Sequence, residues 1–230
     1  MSEAHQNVPV LAIDGPSGTG KGTIASLVAS HLEWHTLDSG ALYRAFAYVA
    51  VENDVSPDDV LGLEKLIRTI NIAFTQTDTG LKIAADGRDI TDQVRCEAGG
   101  KRASIFAKIP LVRQGLLDRQ RRMRVAPGLV ADGRDMGTVV FPDAFLKIFL
   151  DASASIRAQR RYNQLKEKGF SGTLRGLEKE IVERDAQDRN RSASPLIPAS
   201  DAIALDTSRK GIVEVFDEVV TLIEDRLPAA

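Results

Sequence analysis

Gly15-Pro16-Ser17-Gly18-Thr19-Gly20-Lys21-Gly22-Thr23 lies between an apolar run, Val10-Leu11-Ala12-Ile13, and a helical repeat of Ile24, Leu27, Val28 and Leu32. A strand, a glycine-rich turn and a helix in that order form a phosphate cradle. Glycines let backbone N–H groups converge on an anion, and the helix N-terminus adds a favourable dipole. Lys21 supplies a point charge within reach of the outer phosphates. In the common form of this loop a hydroxyl residue follows the lysine and ligates Mg²⁺. Here Gly22 intervenes and Thr23 comes next. The plain alternative is a glycine-rich turn with a solvated lysine, and the strand before and helix after weigh against it.

The chain has 230 residues, 43% of them hydrophobic and 27% charged, which fits a soluble globular protein with a substantial core. A net charge of −2 gives no global field toward nucleic acid or an anionic membrane. Its basic residues lean to arginine, which prefers planar, multidentate phosphate contacts. One cysteine, Cys96, excludes an intrachain disulfide and reads as a small structural residue. His5, His31 and His35 have no partner at metal-ligand spacing, so no structural zinc site is expected. Met1 to Asn7 carry no apolar signal core and no run is long enough to span a bilayer, so a cytoplasmic location is expected.

Outward from the loop, strands and helices alternate. Trp34-His35-Thr36-Leu37 reads as a second strand, followed by a helix with Leu42, Phe46, Val49 and Ala50 on one stripe. Ser56-Pro57-Asp58-Asp59 reads as a helix start. Asn71–Thr77 and Leu81–Ala84 read as strands around an Asp78-Thr79-Gly80 hairpin turn, with Asp86–Ile90 a possible third. Helical pattern returns from Asp92, and Pro110 opens the next helix. Leu129–Ala131, Lys147–Leu150 and Ala202–Leu205 are further strands, with helices over 153–168 and 173–190 and a final amphipathic one carrying Val213, Phe216, Val220 and Ile223. This is an α/β chain with a parallel sheet, expected to be five-stranded, flanked by helices. A small β-rich insertion interrupts it.

Polar clusters sit where strands end, which is where ligands bind in open α/β sheets. Asp38-Ser39-Gly40-Ala41-Leu42-Tyr43-Arg44 is one and Asp132-Gly133-Arg134-Asp135-Met136-Gly137 another. Asp132 stands where a P-loop enzyme keeps a second acidic motif that orients Mg²⁺ or its waters. Turn residues in an ion pair remain the alternative for Asp132 and Arg134. Arg184, Asp188 and Arg191 share one helix face at spacings of four and three. A solvated, salt-bridged face is the alternative there. The run Arg113, Arg119, Arg121, Arg122, Arg124 lacks interleaved aromatics and reads as a solvated face rather than a nucleic-acid patch, with Arg113 set apart. Arg157, Arg160 and Arg161 begin a helix-rich segment ending at Gly169-Phe170-Ser171-Gly172, a plausible hinge for a lid over 157–172.

The loop Gly15 to Thr23, Leu37 to Arg44, Ala131-Asp132-Gly133-Arg134-Asp135-Met136-Gly137-Thr138-Val139-Val140-Phe141-Pro142, and Glu183-Arg184-Asp185 through Arg189-Asn190-Arg191 together resemble the bacterial cytidylate kinases, nucleoside monophosphate kinases of the P-loop class. The Gly-Lys-Gly-Thr variant is frequent among monophosphate kinases, and Asp-Gly-Arg-Asp-Met-Gly is far more specific. The resemblance covers nearly the whole chain. It implies a kinase core over 8–60 and 105–227, a CMP-binding insertion over 61–104, and a short helical lid. It implies transfer of the γ-phosphoryl of ATP, with Mg²⁺, to CMP or dCMP, by a cytoplasmic monomer with no nucleic-acid or membrane partner.

By the same resemblance Gly15, Pro16, Ser17, Gly18, Thr19, Gly20, Lys21, Gly22 and Thr23 hold ATP together with Arg157, Arg160 and Arg161. Thr23 and Asp132 attend the metal, through water in part. Ser104, Arg113 and Asp135 read the cytosine, whose exocyclic amine donates to a carboxylate where uracil presents a carbonyl. Arg44 and Arg134 hold the CMP phosphate, Arg184, Asp188 and Arg191 grip sugar and phosphate, and Ser39, Tyr43 and Gly133 line the pocket. Lys21, Arg134, Arg184 and Asp132 form the catalytic set. The acceptor is a phosphate oxygen already anionic at neutral pH, so arginines rather than a general base carry the chemistry. Two rivals stand beside this reading. One is a P-loop kinase acting on UMP, AMP or a metabolite alcohol, and the other is a nucleotide switch or nucleic-acid-binding ATPase.

Overall fold

The structure is a computed structural model and describes residues 8–77, 80–166, 172–191 and 193–227. Its chain divides into two compact units. One takes residues up to Leu37 together with those from Met123 onward, and the other takes Asp38 to Arg122.

The first unit is built on β1 (Val10–Asp14), β2 (His35–Asp38), β6 (Leu129–Gly133), β7 (Leu146–Asp151) and β8 (Ile203–Asp206). They form the expected five-stranded sheet, in the order β2-β6-β1-β7-β8. β1 pairs in parallel with β6 and β7, and β7 with β8. Every residue of β1 is buried, and Val10–Ile13 form the continuous apolar run of a central parallel strand covered on both faces, ending in the buried Asp14. The register sets Ile13 against Asp132 and Asp14 against Gly133, so the loop after β1 and the acidic turn after β6 leave the sheet side by side. Helix α1 (Lys21–Leu32) packs Ile24 and Val28 into the core that Leu11, Ile13, Val130, Ile148 and Leu150 provide. Helix α9 (Ile212–Glu224) adds Val215, Val219 and Ile223 to the same core. Helices α7 (Ala154–Lys166) and α8 (Leu174–Arg189) complete the unit and pack on each other. Most of the expected hinge, Gly169 to Ser171, lies outside the described residues.

The second unit contains α2 (Ser39–Glu52), α3 (Val60–Thr69), the antiparallel strands β3 (Ile72–Thr77), β4 (Gly80–Ala85) and β5 (Arg88–Asp89), then α4 (Thr91–Arg95), α5 (Glu97–Phe106) and α6 (Pro110–Arg122). The β-rich insertion expected at 61–104 is part of this larger body. Ile83 of β4 and Val94 of α4 share one core with Phe46, Leu63, Phe106, Val112 and Leu116 from the helices, so one face of the small sheet packs on its neighbours while the other stays exposed. Thr77 pairs with Gly80 across the expected hairpin, whose Asp78 and Thr79 lie outside the described residues.

Two local readings are corrected. Ser56 to Asp59 is a turn, closed by the Asp59 amide donating to the Ser56 carbonyl at 3.1 Å. Helix α3 starts at Val60 because the Asp59 carboxylate caps it by accepting from the Gly62 amide at 2.9 Å. Cys96 is exposed rather than packed, and its sulfur caps α5 by accepting from the Gly99 amide at 3.4 Å.

Phe46 is fully buried and meets Phe106 edge to face with ring centroids 6.0 Å apart. Phe46→Ala is expected to cost about 3–5 kcal/mol, the usual result of an unfilled aromatic cavity, read as a lowered midpoint in urea denaturation. An unchanged midpoint contradicts this account of the second core.

Candidate active site

The loop after β1 is shaped by close approach. Gly15 has φ 144°, and a Cβ there would lie 2.0 Å from the Leu150 carbonyl oxygen of β7, so no side chain fits. Helix α1 begins at Lys21 with Gly20 at its N-cap. No side chain caps it and no acid sits in its first turn, which leaves the helix N-terminus to an external anion. Lys21 is 8% exposed. Its Nζ donates to the Pro16 carbonyl at 2.9 Å and lies 4.0 Å from Asp132 Oδ1. Thr19 Oγ1 donates to the same Pro16 carbonyl at 3.1 Å. Thr23 is exposed in the first turn. Gly22 is the residue that faces Asp132, since a Cβ there would sit 3.3 Å from Asp132 Oδ2.

Two of the three arginines expected on a lid are instead tied to the back of this loop. Arg157, 3% exposed, donates from Nη1 to the Ser17 carbonyl at 3.0 Å and from Nε to the Ala152 carbonyl at 2.8 Å. Its other contact is a two-pronged ion pair with the buried Asp185 of α8. Arg160 donates to the Thr19 carbonyl at 3.2 Å and to the Thr207 hydroxyl and carbonyl at 3.1 and 2.6 Å. Arg161, half-buried on α7, makes no hydrogen bond or ion pair among the described residues.

At the end of β6, Asp132 and Gly133 close the strand and Arg134 and Asp135 lead into a single π-helical turn, Met136–Val140. Arg134 Nε and Arg191 Nη2 each donate to one oxygen of Asp188, so one carboxylate joins two arginines. Asp188 is 1% exposed, and this places it between the arginines it was expected to accompany. Arg184 is half-buried one helical turn before it. Asp135 is 7% exposed. Asp14, the last residue of β1, is 4% exposed and accepts from the Met136 and Gly137 amides at 2.9 and 2.8 Å. Burial pushes its carboxyl up from 3.8 to about 7, and the nearby Asp135 charge adds to the rise. The two amides and Lys21 pull the other way.

In the second unit, Asp38 caps α2 by accepting from the Ala41 amide at 2.7 Å, and its other oxygen accepts from Arg44 Nη2 at 3.2 Å. The Nε of Arg44 is buried with no hydrogen-bond partner among the described residues. Ser39 Oγ donates to Gln120 Oε1 at 2.8 Å, both side chains being buried. The Arg113 guanidinium lies over the Tyr43 ring, 5.9 Å from its centroid, and Nη1 donates to the Ala107 carbonyl at 3.4 Å. Ser104 turns its hydroxyl back onto its own helix, donating to the Gly100 carbonyl at 3.0 Å.

Asp14, Asp185, Thr207 and Gln120 are supports that the sequence reading passed over. Asp14 alone carried a signal, an acid ending a buried apolar strand against the loop. The others touch partners 28 to 188 residues away in the chain.

A family model described as Cytidylate kinase matches residues 11–225. A cytidylate kinase of Shewanella denitrificans is 51% identical over 217 residues, which is 94% of this chain and 96% of the relative. One of Aeromonas salmonicida is 49% identical over 222 residues, 96% of each. Among solved structures, TT1252 of Thermus thermophilus is 18% identical over 96% of this chain and 99% of its own, with a TM-score of 0.47, a likeness that carries no argument.

The Asp14 shift has a pH consequence. With the native carboxyl at about 7 and the ordinary one at 3.8, the native state holds a proton that the unfolded chain has lost. That contribution is whole below the lower value and is lost as pH rises to the upper one, with a slope of at most about 1.4 kcal/mol per pH unit. Urea denaturation across this window is expected to show the wild type losing stability relative to Asp14→Asn as pH rises. Parallel curves contradict the shift.

Proposed function

The chain belongs to the cytidylate kinase family and phosphorylates CMP and dCMP at the expense of ATP, and we propose that it does so by direct in-line transfer at the carboxyl end of the large sheet. The observation that carries this reading is the juxtaposition of two cation sets there. Lys21 stands at the foot of an anion-seeking helix, and the Arg134–Asp188–Arg191 group stands at the end of the adjoining strand β6.

The reading assigns the loop, Gly15 to Thr23, to the phosphates of ATP, with Lys21 cancelling charge that shifts during transfer. The acceptor oxygen is already anionic, so no base takes a proton. Arg44 and Arg134 hold the acceptor phosphate. The buried Arg44 Nε, with no hydrogen-bond partner among the described residues, supports an anion beside it. Arg184 and Arg191 bind sugar and phosphate, and Asp188 aims two of the arginines. Ser39, Tyr43 and Gly133 are assigned to lining the acceptor pocket, and Ser104, Arg113 and Asp135 to reading the base. Arg157 and Arg160 brace the loop. Arg161 goes to the transferring phosphoryl, a role supported by donors not spent on the protein.

The residues fit a magnesium ion. Among the described residues no cluster of three or more acidic, histidine or cysteine side chains can cage a metal, and the Asp132 carboxylate stands 4.0 Å from Lys21 Nζ. That donor set suits a hard cation bound mainly by nucleotide phosphates and water, with Thr23 nearby in the first turn of α1. When bound, Mg²⁺ supplies charge neutralisation on the outer phosphates. A monomeric, cytoplasmic protein with no nucleic-acid partner belongs to the same reading. In support, the net charge of −2 gives no global field toward nucleic acid.

Purified protein given ATP with CMP, dCMP, UMP or AMP in turn is expected to favour CMP and dCMP. Lys21→Ala is expected to lower kcat by at least about a hundredfold with the fold intact. Equal turnover of all four acceptors, or near-normal transfer by the variant, sinks the reading. The arginines should separate. Arg161→Ala is expected to lose about a hundredfold in kcat at unchanged stability. Arg157→Ala should lower stability by about 3–5 kcal/mol because it strands Asp185 in the interior. The opposite pattern, measured by kinetics and denaturation on the same samples, reassigns the phosphoryl contact.

A further inference from the structure

Asp135 occupies the N-cap position of the turn Met136–Val140. An aspartate at such a position ordinarily turns its carboxylate onto the amides of its own turn. Here it does not, although its main chain serves the turn in the usual way, the Asp135 carbonyl accepting from the Val139 and Val140 amides at 2.9 and 3.1 Å. The first amides of the turn, those of Met136 and Gly137, are satisfied instead by Asp14, 122 and 123 residues away in sequence and one strand over. Asp14 is 4% exposed, and its acceptance of two main-chain donors at 2.9 and 2.8 Å fixes the segment as a rigid piece of the sheet end.

We propose that Asp14 is a positioning residue for base selectivity. By capping the turn in place of Asp135, it keeps the Asp135 carboxylate from turning back onto its own turn, in the orientation that meets the exocyclic amine of cytosine. This rests on the reading of Asp135 as the base-reading group. With asparagine at position 14 one acceptor oxygen is replaced by a donor, so one of the two buried amides is left unpaired, a costly state that Asp135 relieves by turning back to cap its own turn. A carboxylate spent in that way no longer accepts from cytosine or repels the uracil carbonyl.

The test is steady-state kinetics with CMP and UMP for the wild type, Asp14→Asn, Asp135→Ala and the double variant. Asp14→Asn is expected to raise the KM for CMP about tenfold and narrow the CMP-over-UMP preference about tenfold, with kcat at saturating CMP within about threefold of wild type. The double variant is expected to narrow the preference no further than Asp135→Ala alone, since both changes act through one carboxylate. If Asp135→Ala narrows the preference and Asp14→Asn does not, the proposal fails while the reading of Asp135 stands. If Asp135→Ala leaves the preference intact, both fail. An equal fall in kcat for both nucleotides at unchanged preference makes Asp14 a purely structural residue and also overturns the proposal. Should Asp14→Asn not fold, hydrogen exchange on the wild type decides. Slow exchange at the Met136 and Gly137 amides is expected, and exchange at the rate of exposed loop amides overturns the proposal.

Discussion

A site for two polyanions must crowd positive charge into a small volume before either anion arrives, and the protein has to survive that crowding. Buried cations without partners cost more than a domain's whole stability margin. The solution in the first unit is to give each cation a partner that holds it without fully neutralising it. Asp188 serves both Arg134 and Arg191, so two guanidiniums share one carboxylate and the group keeps a positive surplus. Lys21 leans on a neutral carbonyl, with Asp132 at 4.0 Å, too long for a hydrogen bond. The same economy recurs in the second unit, where Asp38 divides its oxygens between a helix cap and Arg44.

The parallel sheet makes this arrangement possible. β1 and β6 run side by side with Ile13 opposite Asp132, so their carboxyl ends deliver the loop and the acidic turn to one edge of the unit. The loop is then held from below. Leu150 of β7 crowds Gly15, Arg157 takes the Ser17 carbonyl, and Arg160 takes that of Thr19. The backbone of the loop is thereby fixed in advance, which places the cost of ordering it in folding rather than in binding. Asp185 extends the same bracing to α8, the helix that carries Arg184 and Asp188 and ends two residues before Arg191, through its ion pair with Arg157.

Much of this was legible in the chain. The five strands, the glycine loop and the three polar clusters follow from apolar runs, turn residues and helical spacing, all local signals. Local signals also explain what went astray. Ser56-Pro57 resembles a helix start as strongly as Asp59 does, and which acid finds an amide at the right distance is decided by three-dimensional placement. Arg157 and Arg160 look like the solvated arginines of any helix until α7 lies against the loop. Asp14 and Gln120 are single polar residues in apolar or charged surroundings, and their partners lie 81 or more positions away. Sequence periodicity reports which face of an element is buried. It carries no information on which distant backbone group a buried carboxylate will meet.

Gly22 shows how a departure from a common pattern follows from the same constraint. In loops of the more usual form a hydroxyl residue stands directly after the lysine and serves the metal. Here the position after Lys21 faces the Asp132 carboxylate, with only 3.3 Å between Oδ2 and any Cβ built there. A serine or threonine at 22 would press its side chain on Asp132 and shift it relative to Lys21. With glycine, Asp132 keeps its place 4.0 Å from Lys21 Nζ. The glycine is therefore the residue that lets the β6 acid lie close against the first turn of α1.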